Sequence, residues 1–374
     1  MSILIILVSL AYVFLILFLL YGFSKTQDFF GNVHPPKTRF SVIIPFRNEA
    51  NNLSPLFYSL KNLNYPAELF EIILVNDASE DASEELCNKF IEENLKLELT
   101  LLQNNRTFGS PKKDAITTAI KKAKHEYIIT TDADCTVPEA WLQEFNSAIV
   151  EWNAKMIAGP VKISPSKGFL ASFQEIDVFS LQGATIGGFG VDLPFMSNGA
   201  NFCYEKKAFE EVNGFKGNEK IASGDDIFLL EKFRKEGLKT AFLKSKSAIV
   251  TTQAQPNWSS LIAQRIRWAA KTSAYNNFFG KFVGLIVLSM NLILVLTMVG
   301  VLLEKISPAL LLFPFLLKFN IDFILIYNCA RFFEREKVLK NYFWCSLIYP
   351  FLSSFIAVLS LFSGYSWKGR RFKK

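Results

Sequence analysis

The sequence lacks the cysteine patterns that mark disulfide-rich or zinc-binding proteins. It has five cysteines in 374 residues, and no two of them form a C-x-x-C pair. Two of the five, Cys329 and Cys345, lie in or beside long apolar segments. This usage is typical of reduced thiols, and it indicates neither a disulfide framework nor a zinc site.

No nucleic-acid-binding motif accompanies the formal net charge of +7. Most of the excess lysine and arginine flanks the apolar segments, where positive charge favours attraction to the surface of a membrane. We therefore expect the membrane, and not a nucleic acid, to be the partner of these basic residues.

The start of the chain has no charged residue before Lys25. It also lacks the basic n-region and the small-residue cleavage site of a signal peptide. The apolar run is long enough to cross a bilayer core, which is about 30 Å thick. Residues 1–24 are therefore predicted to form an uncleaved transmembrane anchor.

Three further apolar runs lie near the other end of the chain, at Phe282–Leu303, Pro308–Tyr327 and Tyr342–Phe362. We predict that residues 281–374 form C-terminal membrane helices and a basic tail. Residues 37–254 have the mixed charge of a soluble domain and are numerous enough to bury a full core. The segment between them, residues 255–280, is predicted to be an amphipathic helix at the membrane interface.

Basic residues beside the apolar runs predict the topology. They occupy the loops after the first run, before the second, and between the third and fourth, so all three loops favour the cytoplasm. We expect a multi-pass protein of the cell membrane with a cytoplasmic soluble domain. A fourth full crossing would place the basic tail outside, against the charge rule; Pro350 could instead make the last run re-entrant or break it into a hairpin. The tail residues are Lys368, Arg370, Arg371, Lys373 and Lys374.

Short apolar strands alternate with helices in the first half of the soluble part. The predicted strands are Phe40–Pro45, Leu69–Val75, Leu97–Leu102 and Tyr127–Thr131. Such alternation predicts an α/β domain with a mostly parallel sheet and right-handed crossovers. Ligands of these sheets bind beyond the carboxyl ends of the strands.

Acidic residues follow two of these strands. Asp132 and Asp134 come directly after the fourth strand, and their i, i+2 spacing would direct both side chains to one face of an extended chain. Together they could bind a hard cation, which prefers oxygen ligands; alternatively, they form a solvated turn. Asp77 follows the second strand and is expected at the same edge of the sheet.

Two polar clusters lie further along the chain. Asp225 and Asp226 open a predicted helix, where negative charge is favoured, and could be catalytic or only capping. Gln264, Arg267 and Trp268 share one face of a helix that starts near Trp258. An amide, a guanidinium and an indole together could hold a pyrophosphate and stack on a sugar, or the helix could simply lie on the membrane surface.

Taken in order, these segments resemble the motifs of membrane-bound family 2 glycosyltransferases. The similarity covers about Phe40 to Trp268, and it implies a GT-A fold. It also implies inverting transfer from a nucleotide-sugar, often a UDP-sugar, with Mg²⁺ or Mn²⁺. The matching segments are Ser41-Val42-Ile43-Ile44-Pro45, Asn76-Asp77-Ala78-Ser79, Asp132-Ala133-Asp134, Gly224-Asp225-Asp226 and Gln264-x-x-Arg267-Trp268.

The resemblance implies a role for each matched residue. Asp77 would contact the nucleotide base, in a pocket shared with Pro45 and Glu49. Asp132 and Asp134 would form the D-x-D pair, with Asp134 as the direct metal ligand.

Asp226 would be the catalytic base, and Gln264, Arg267 and Trp268 would bind the donor. The family more often has Thr-Glu-Asp where this chain has Gly224-Asp225-Asp226, so the role of Asp225 stays open. Lys112 or Lys113 either corresponds to a basic residue near the diphosphate or is a solvated helix residue.

The acceptor is expected to be a hydroxyl of a lipid or a glycan. The family places acceptor-facing residues within a glycine-rich stretch, here Phe169–Asp192, although its glycines could serve only as flexible loop positions. Transfer to a lipid-linked or membrane lipid acceptor is favoured because only about three membrane segments follow the domain. The alternative is processive synthesis of an exported polysaccharide. A catalytically silent membrane scaffold is disfavoured because the acidic positions are intact.

Overall fold

The computed structural model describes residues 2–30, 34–107, 109–219, 221–271, 274–362, 365–368 and 370–372. The α-helices within these ranges are α1 (Ser2–Lys25), α2 (Ala50–Lys61), α3 (Ser83–Glu93), α4 (Pro111–Ile120), α5 (Trp141–Trp152), α6 (Phe169–Gly190), α7 (Lys206–Glu211), α8 (Asp225–Lys235), α9 (Trp258–Ala270), α10 (Phe278–Leu302), α11 (Pro308–Phe332) and α12 (Tyr342–Phe362). The strands are β1 (Phe40–Phe46), β2 (Phe70–Asn76), β3 (Glu98–Gln103), β4 (Tyr127–Thr130), β5 (Cys135–Thr136), β6 (Met156–Ala158), β7 (Val161–Ile163), β8 (Phe202–Glu205), β9 (Thr240–Phe242), β10 (Val250–Thr252), β11 (Tyr365–Trp367) and β12 (Arg370–Phe372).

The chain divides into two compact units. The sheet unit comprises Gln27–Ser164 and Met196–Gln253, and the helical unit comprises Met1–Thr26, Pro165–Phe195 and Ala254–Lys374. Residues 165–195 fall inside the range predicted for the soluble domain, but they group with the helical unit.

The sheet unit is built on a seven-stranded sheet of order β3-β2-β1-β4-β8-β6-β9. Neighbouring strands are parallel except at β8, which runs antiparallel to both β4 and β6. A second sheet joins β5, β10 and β7. This arrangement confirms the predicted α/β class with a mostly parallel sheet.

Continuous apolar runs explain the central strands, because helices on both faces of a parallel sheet bury every side chain. All seven residues of β2 are buried, and so are those of β4. Val42, Ile44 and Ile72 are wholly inaccessible in the core between the sheet and its helices. The carboxyl ends of β1, β2, β3 and β4 therefore meet at one edge, as the sequence predicts.

Among the described residues of the helical unit, four helical segments are long and apolar enough to cross a membrane: Ile3–Lys25, Phe278–Leu302, Pro308–Phe332 and Glu336–Ser360. Helix α12 continues through Pro350, so the last apolar run does not break there into a hairpin. Strands β11 and β12 pair antiparallel; Lys368 directly follows β11, and Arg370 begins β12. Lys373 and Lys374, also predicted as part of the basic tail, lie outside the described residues.

The glycine-rich stretch is helical in the structure, as α6. Its glycines permit close packing of helix backbones, which is common between membrane helices. A Cβ added to Gly187 would lie 2.3 Å from the carbonyl oxygen of Leu19 in α1. A Cβ added to Gly22, also in α1, would lie 2.0 Å from the carbonyl oxygen of Gly187. The interpretation of these glycines as flexible loop positions is therefore wrong, and the prediction that this stretch faces an acceptor stays open.

Candidate active site

Asp77 lies directly after β2, at the predicted edge of the sheet, and is almost fully buried. Its Oδ1 accepts hydrogen bonds from Asn104 Nδ2 and Arg106 Nε, both at 2.7 Å. Arg106 Nη2 also donates to the carbonyl oxygen of Asp77 at 3.1 Å. Asn104 and Arg106 follow β3, the neighbouring strand, so the edge rule that predicts Asp77 could have found them too.

Pro45 and Glu49 lie at the same edge, on the end of β1 and the loop that follows it. Pro45 is paired with Val75 of β2 in the parallel register. The Glu49 N–H donates to Ser83 Oγ at 2.8 Å, and its Oε2 accepts from Asn52 Nδ2 at 2.6 Å. These bonds tie the loop to the start of α3 and to α2, and the Asp77 N–H donates to the carbonyl oxygen of Phe46 at 2.9 Å. The assignment of a nucleotide base to this pocket remains a prediction.

Asp132 and Asp134 follow β4, and Ala133 and Asp134 form a turn in place of the extended chain that the i, i+2 argument expects. Asp132 and Asp134 are partly exposed, whereas Thr131, Ala133 and Cys135 are buried. Burial, with the two neighbouring carboxylates, holds the pKa of the Cys135 thiol well above its ordinary value. Carboxylate oxygens, unlike a thiol, are the ligands that hard cations prefer. The carboxylates are thus the hard ligands that this turn offers.

The residues present fit a metal ion that is bound together with a diphosphate. No group of three or more His, Cys, Asp and Glu side chains suited to hold a metal occurs among the described residues. However, Mg²⁺ is usually bound by only one or two carboxylates together with substrate phosphates. Asp132 and Asp134 meet that requirement.

Lys112, in the first turn of α4, places a cation between two acidic motifs. Its Nζ lies 2.7 Å from Asp132 Oδ1 and 3.3 Å from Asp225 Oδ2. Burial by itself would lower the pKa of Lys112, but the Asp132 and Asp225 carboxylates outweigh it and raise that pKa above its ordinary value. Lys112 is therefore charged, and it neutralises part of the acidic cluster.

The neighbouring Lys113 is wholly buried. Its Nζ donates to the carbonyl oxygens of Asn218 at 2.8 Å and Ile221 at 3.0 Å, and it lies 4.7 Å from the centre of the Phe228 ring. The interpretation of Lys112 and Lys113 as solvated helix residues is therefore wrong. Lys113 instead ties α4 to the segment that precedes Asp225.

Asp225 and Asp226 form the first turn of α8 and are each 8% exposed. Asp226 Oδ2 accepts from the Gly199 N–H at 3.1 Å, and Oδ1 accepts from the Ile227 N–H at 2.8 Å. A Cβ on Gly199 would lie 2.7 Å from Asp225 Oδ2, so a larger residue there would require the Asp225 carboxylate to move. Both aspartates also benefit from the positive end of the helix dipole.

Gln264, Arg267 and Trp268 lie on α9, in the helical unit, and all three are partly exposed. The helix begins at a side-chain cap, where Asn257 Oδ1 accepts from the Ser260 N–H at 2.9 Å. Its buried residues are Leu261 and Arg265. The role of these three residues in binding the donor remains a prediction.

Comparison with known families decides the class of this chain. The model of "Glycosyl transferase family 2" matches residues 41–212, and that of "Glycosyl transferase family group 2" matches residues 127–362, well over half of the chain. This chain belongs to the family 2 glycosyltransferases. The order of its motifs predicts this family.

Individual relatives agree with this family. The probable glycosyltransferase YdaM of Bacillus subtilis is 26% identical over 66% of this chain, and glycosyltransferase AglE of Haloferax volcanii is 22% identical over 54%. This chain spans 60% and 63% of the lengths of those two proteins.

A solved structure shares the fold. The mannosyltransferase PcManGT from Pyrobaculum calidifontis, in complex with GDP-Man and Mn²⁺, superposes with a TM-score of 0.60 at 16% identity, covering 92% of this chain and 98% of PcManGT. At this identity the likeness shows the GT-A fold alone, and it confirms the fold that the motifs predict.

Proposed function

We propose that this family 2 glycosyltransferase is a multi-pass protein of the cell membrane. It transfers a sugar, with inversion, from a nucleotide-sugar, most simply a UDP-sugar, to a hydroxyl of a lipid-linked or membrane lipid acceptor. The observation that carries the proposal is the cluster in which Lys112 joins Asp132 to Asp225 beyond the carboxyl ends of the strands. The described part of the chain also includes four helices suited by length and composition to cross a membrane.

The donor would occupy the edge of the sheet. Asp77, with Pro45 and Glu49, would form the pocket for the nucleotide base. Asp132 and Asp134 would hold Mg²⁺ or Mn²⁺, with Asp134 as the direct ligand. When bound, the ion would stabilise the negative charge that develops on the diphosphate leaving group.

Three residues of α9 would also bind the donor. Arg267 would offer a guanidinium to phosphate oxygens, Gln264 an amide, and Trp268 a ring on which a sugar can stack. This part of the proposal rests on the motif and its shared helix face. It gives the helical unit a role in binding as well as in anchoring.

Asp226 would act as the base. Its carboxylate accepts hydrogen bonds from the N–H groups of Gly199 and Ile227, which hold it in place at the start of α8. In the reaction the acceptor hydroxyl attacks the anomeric carbon, the bond to the diphosphate oxygen breaks, and the hydroxyl proton passes to the Asp226 carboxylate. The nucleoside diphosphate leaves from the opposite face of the sugar.

Labelled nucleotide-sugars test the proposal directly. Membranes that contain the enzyme are incubated with each donor plus Mn²⁺, and the product is partitioned between organic solvent and water. Label in the organic phase supports the lipid acceptor, whereas a large water-soluble product would support the processive synthase. Asp226→Asn should abolish transfer, while Glu211→Gln, a change at an exposed carboxylate, should not. Absence of transfer from every donor would contradict the proposal.

A further inference from the structure

Arg265, inside the Gln264-x-x-Arg267-Trp268 motif, uses all three of its guanidinium nitrogens within the protein. Nε and Nη2 both contact Asp177 Oδ2 on α6, at 2.7 and 2.6 Å. Nη1 donates to Gln264 Oε1 at 2.5 Å. The guanidinium also stacks on Trp268, with its central carbon 4.1 Å from the ring centre. Arg265 therefore contacts two residues of the motif at once.

Both members of the Arg265–Asp177 pair are buried, at 9% and 8% exposed. A buried ion pair tolerates little rearrangement, because separating its members leaves a charge without a partner in a medium of low polarity. Asp177 thus fixes the Arg265 guanidinium. That guanidinium in turn contacts the side chains of Gln264 and Trp268 on α9.

We propose that Arg265 is a positioning residue for the donor site, an inference that rests on the proposed function. Arginine can only donate hydrogen bonds. The amide of Gln264 must therefore direct its oxygen toward Arg265 and its NH₂ group away from it. An outward NH₂ donates, and donors are what the oxygens of a diphosphate or a sugar require. Stacking by Arg265 fixes the plane of the Trp268 indole as well.

The same helix offers a matched control. Glu175, two residues before Asp177, is also buried and forms an ion pair with Arg335, with Nε to Oε1 at 2.6 Å and Nη2 to Oε2 at 3.2 Å. That pair ties α6 to the segment after α11 instead of to α9. Glu175→Gln and Asp177→Asn are the same chemical change, made on one helix.

The test measures donor KM, nucleoside diphosphate affinity with Mn²⁺, and thermal stability of the full-length enzyme in detergent. Both variants release the Gln264 amide and the Trp268 ring from the orientation in which they would bind the donor, so we expect Asp177→Asn and Arg265→Lys to raise donor KM by about tenfold or more. Lysine keeps the charge but loses the planar fork and the stacking. Glu175→Gln should leave donor KM within about twofold of the wild-type value.

Gln264→Glu keeps the inference testable if the ion-pair variants fold poorly. Glutamate would still accept from Arg265, so stability should be kept, but it has no NH₂ group and should weaken donor and nucleotide binding by about tenfold. Wild-type binding in Gln264→Glu, wild-type KM in Arg265→Lys, or an equal loss in Glu175→Gln would overturn the proposal. If the wild type binds nucleotide but transfers no sugar, the proposed function fails, and the nucleotide affinities still decide the role of Arg265.

Discussion

Replacing Lys113 with methionine should destabilise the protein strongly, although the change keeps the length and most of the volume of the side chain. Lys113 is wholly buried, and its ammonium donates to the carbonyl oxygens of Asn218 and Ile221. A hydrogen bond from a charged donor contributes about 1.5–3 kcal/mol. Two such bonds sum to about 3–6 kcal/mol, and release of a buried ammonium to water on unfolding offsets part of this. We expect a net loss of about 3 kcal/mol.

Thermal unfolding of the full-length protein in detergent, followed by tryptophan fluorescence, measures this loss. For a unit of 150–250 residues, about 1 kcal/mol lowers Tm by about 2–4 °C, so Lys113→Met should lower it by about 6–12 °C. Lys122→Met, at an exposed position just after the same helix, is the control and should change Tm little. A shift below about 2 °C for Lys113→Met would refute the assignment of Lys113 as a tie between α4 and the segment before Asp225.

Four further outcomes are expected. The pKa of Lys112 is raised in the folded state, so Lys112 is charged at every pH below its unfolded pKa of about 10.4. Its ion pairs therefore stabilise the protein equally from pH 6 to 9, and the Tm difference between the wild type and Lys112→Met should stay constant over that range. Asn201→Leu should cost about 3 kcal/mol in thermal unfolding, because it removes three buried hydrogen bonds. Gly187→Leu should separate α1 from α6 and lower Tm, while Gly284→Leu, which enters open space, should not. EDTA should abolish transfer by the wild type and Mn²⁺ should restore it, whereas Mn²⁺ should not restore transfer by Asp134→Asn.

The edge of the sheet that carries the acidic residues can be predicted from the sequence, because it depends only on the local pattern of strands and helices. Runs of Val, Ile and Leu between helices specify a parallel sheet, and in such a sheet the carboxyl ends of adjacent strands meet. Asp77 and Asp132 therefore come to one edge although 55 positions separate them in the chain. The family motifs depend on the same order of elements.

The residues that sequence reasoning missed depend on contacts between distant segments. Lysines on a helix are usually solvated, and only the fold shows that Lys113 is buried against the segment before Asp225. Glycine lowers helix propensity, yet α6 is helical because its glycines permit contact with the backbone of α1. Arg265 occupies an x position of its motif, and its partner Asp177 lies 88 residues away.

The central claim is that Asp134 serves the donor and Asp226 serves the acceptor. Donor binding and sugar transfer, measured side by side in the same membrane preparations with Mn²⁺, test it most directly. Asp226→Asn should bind the nucleotide-sugar nearly as well as the wild type and transfer none of it, whereas Asp134→Asn should lose Mn²⁺-dependent donor binding. Full transfer by Asp226→Asn, or unchanged donor binding by Asp134→Asn, would contradict the account.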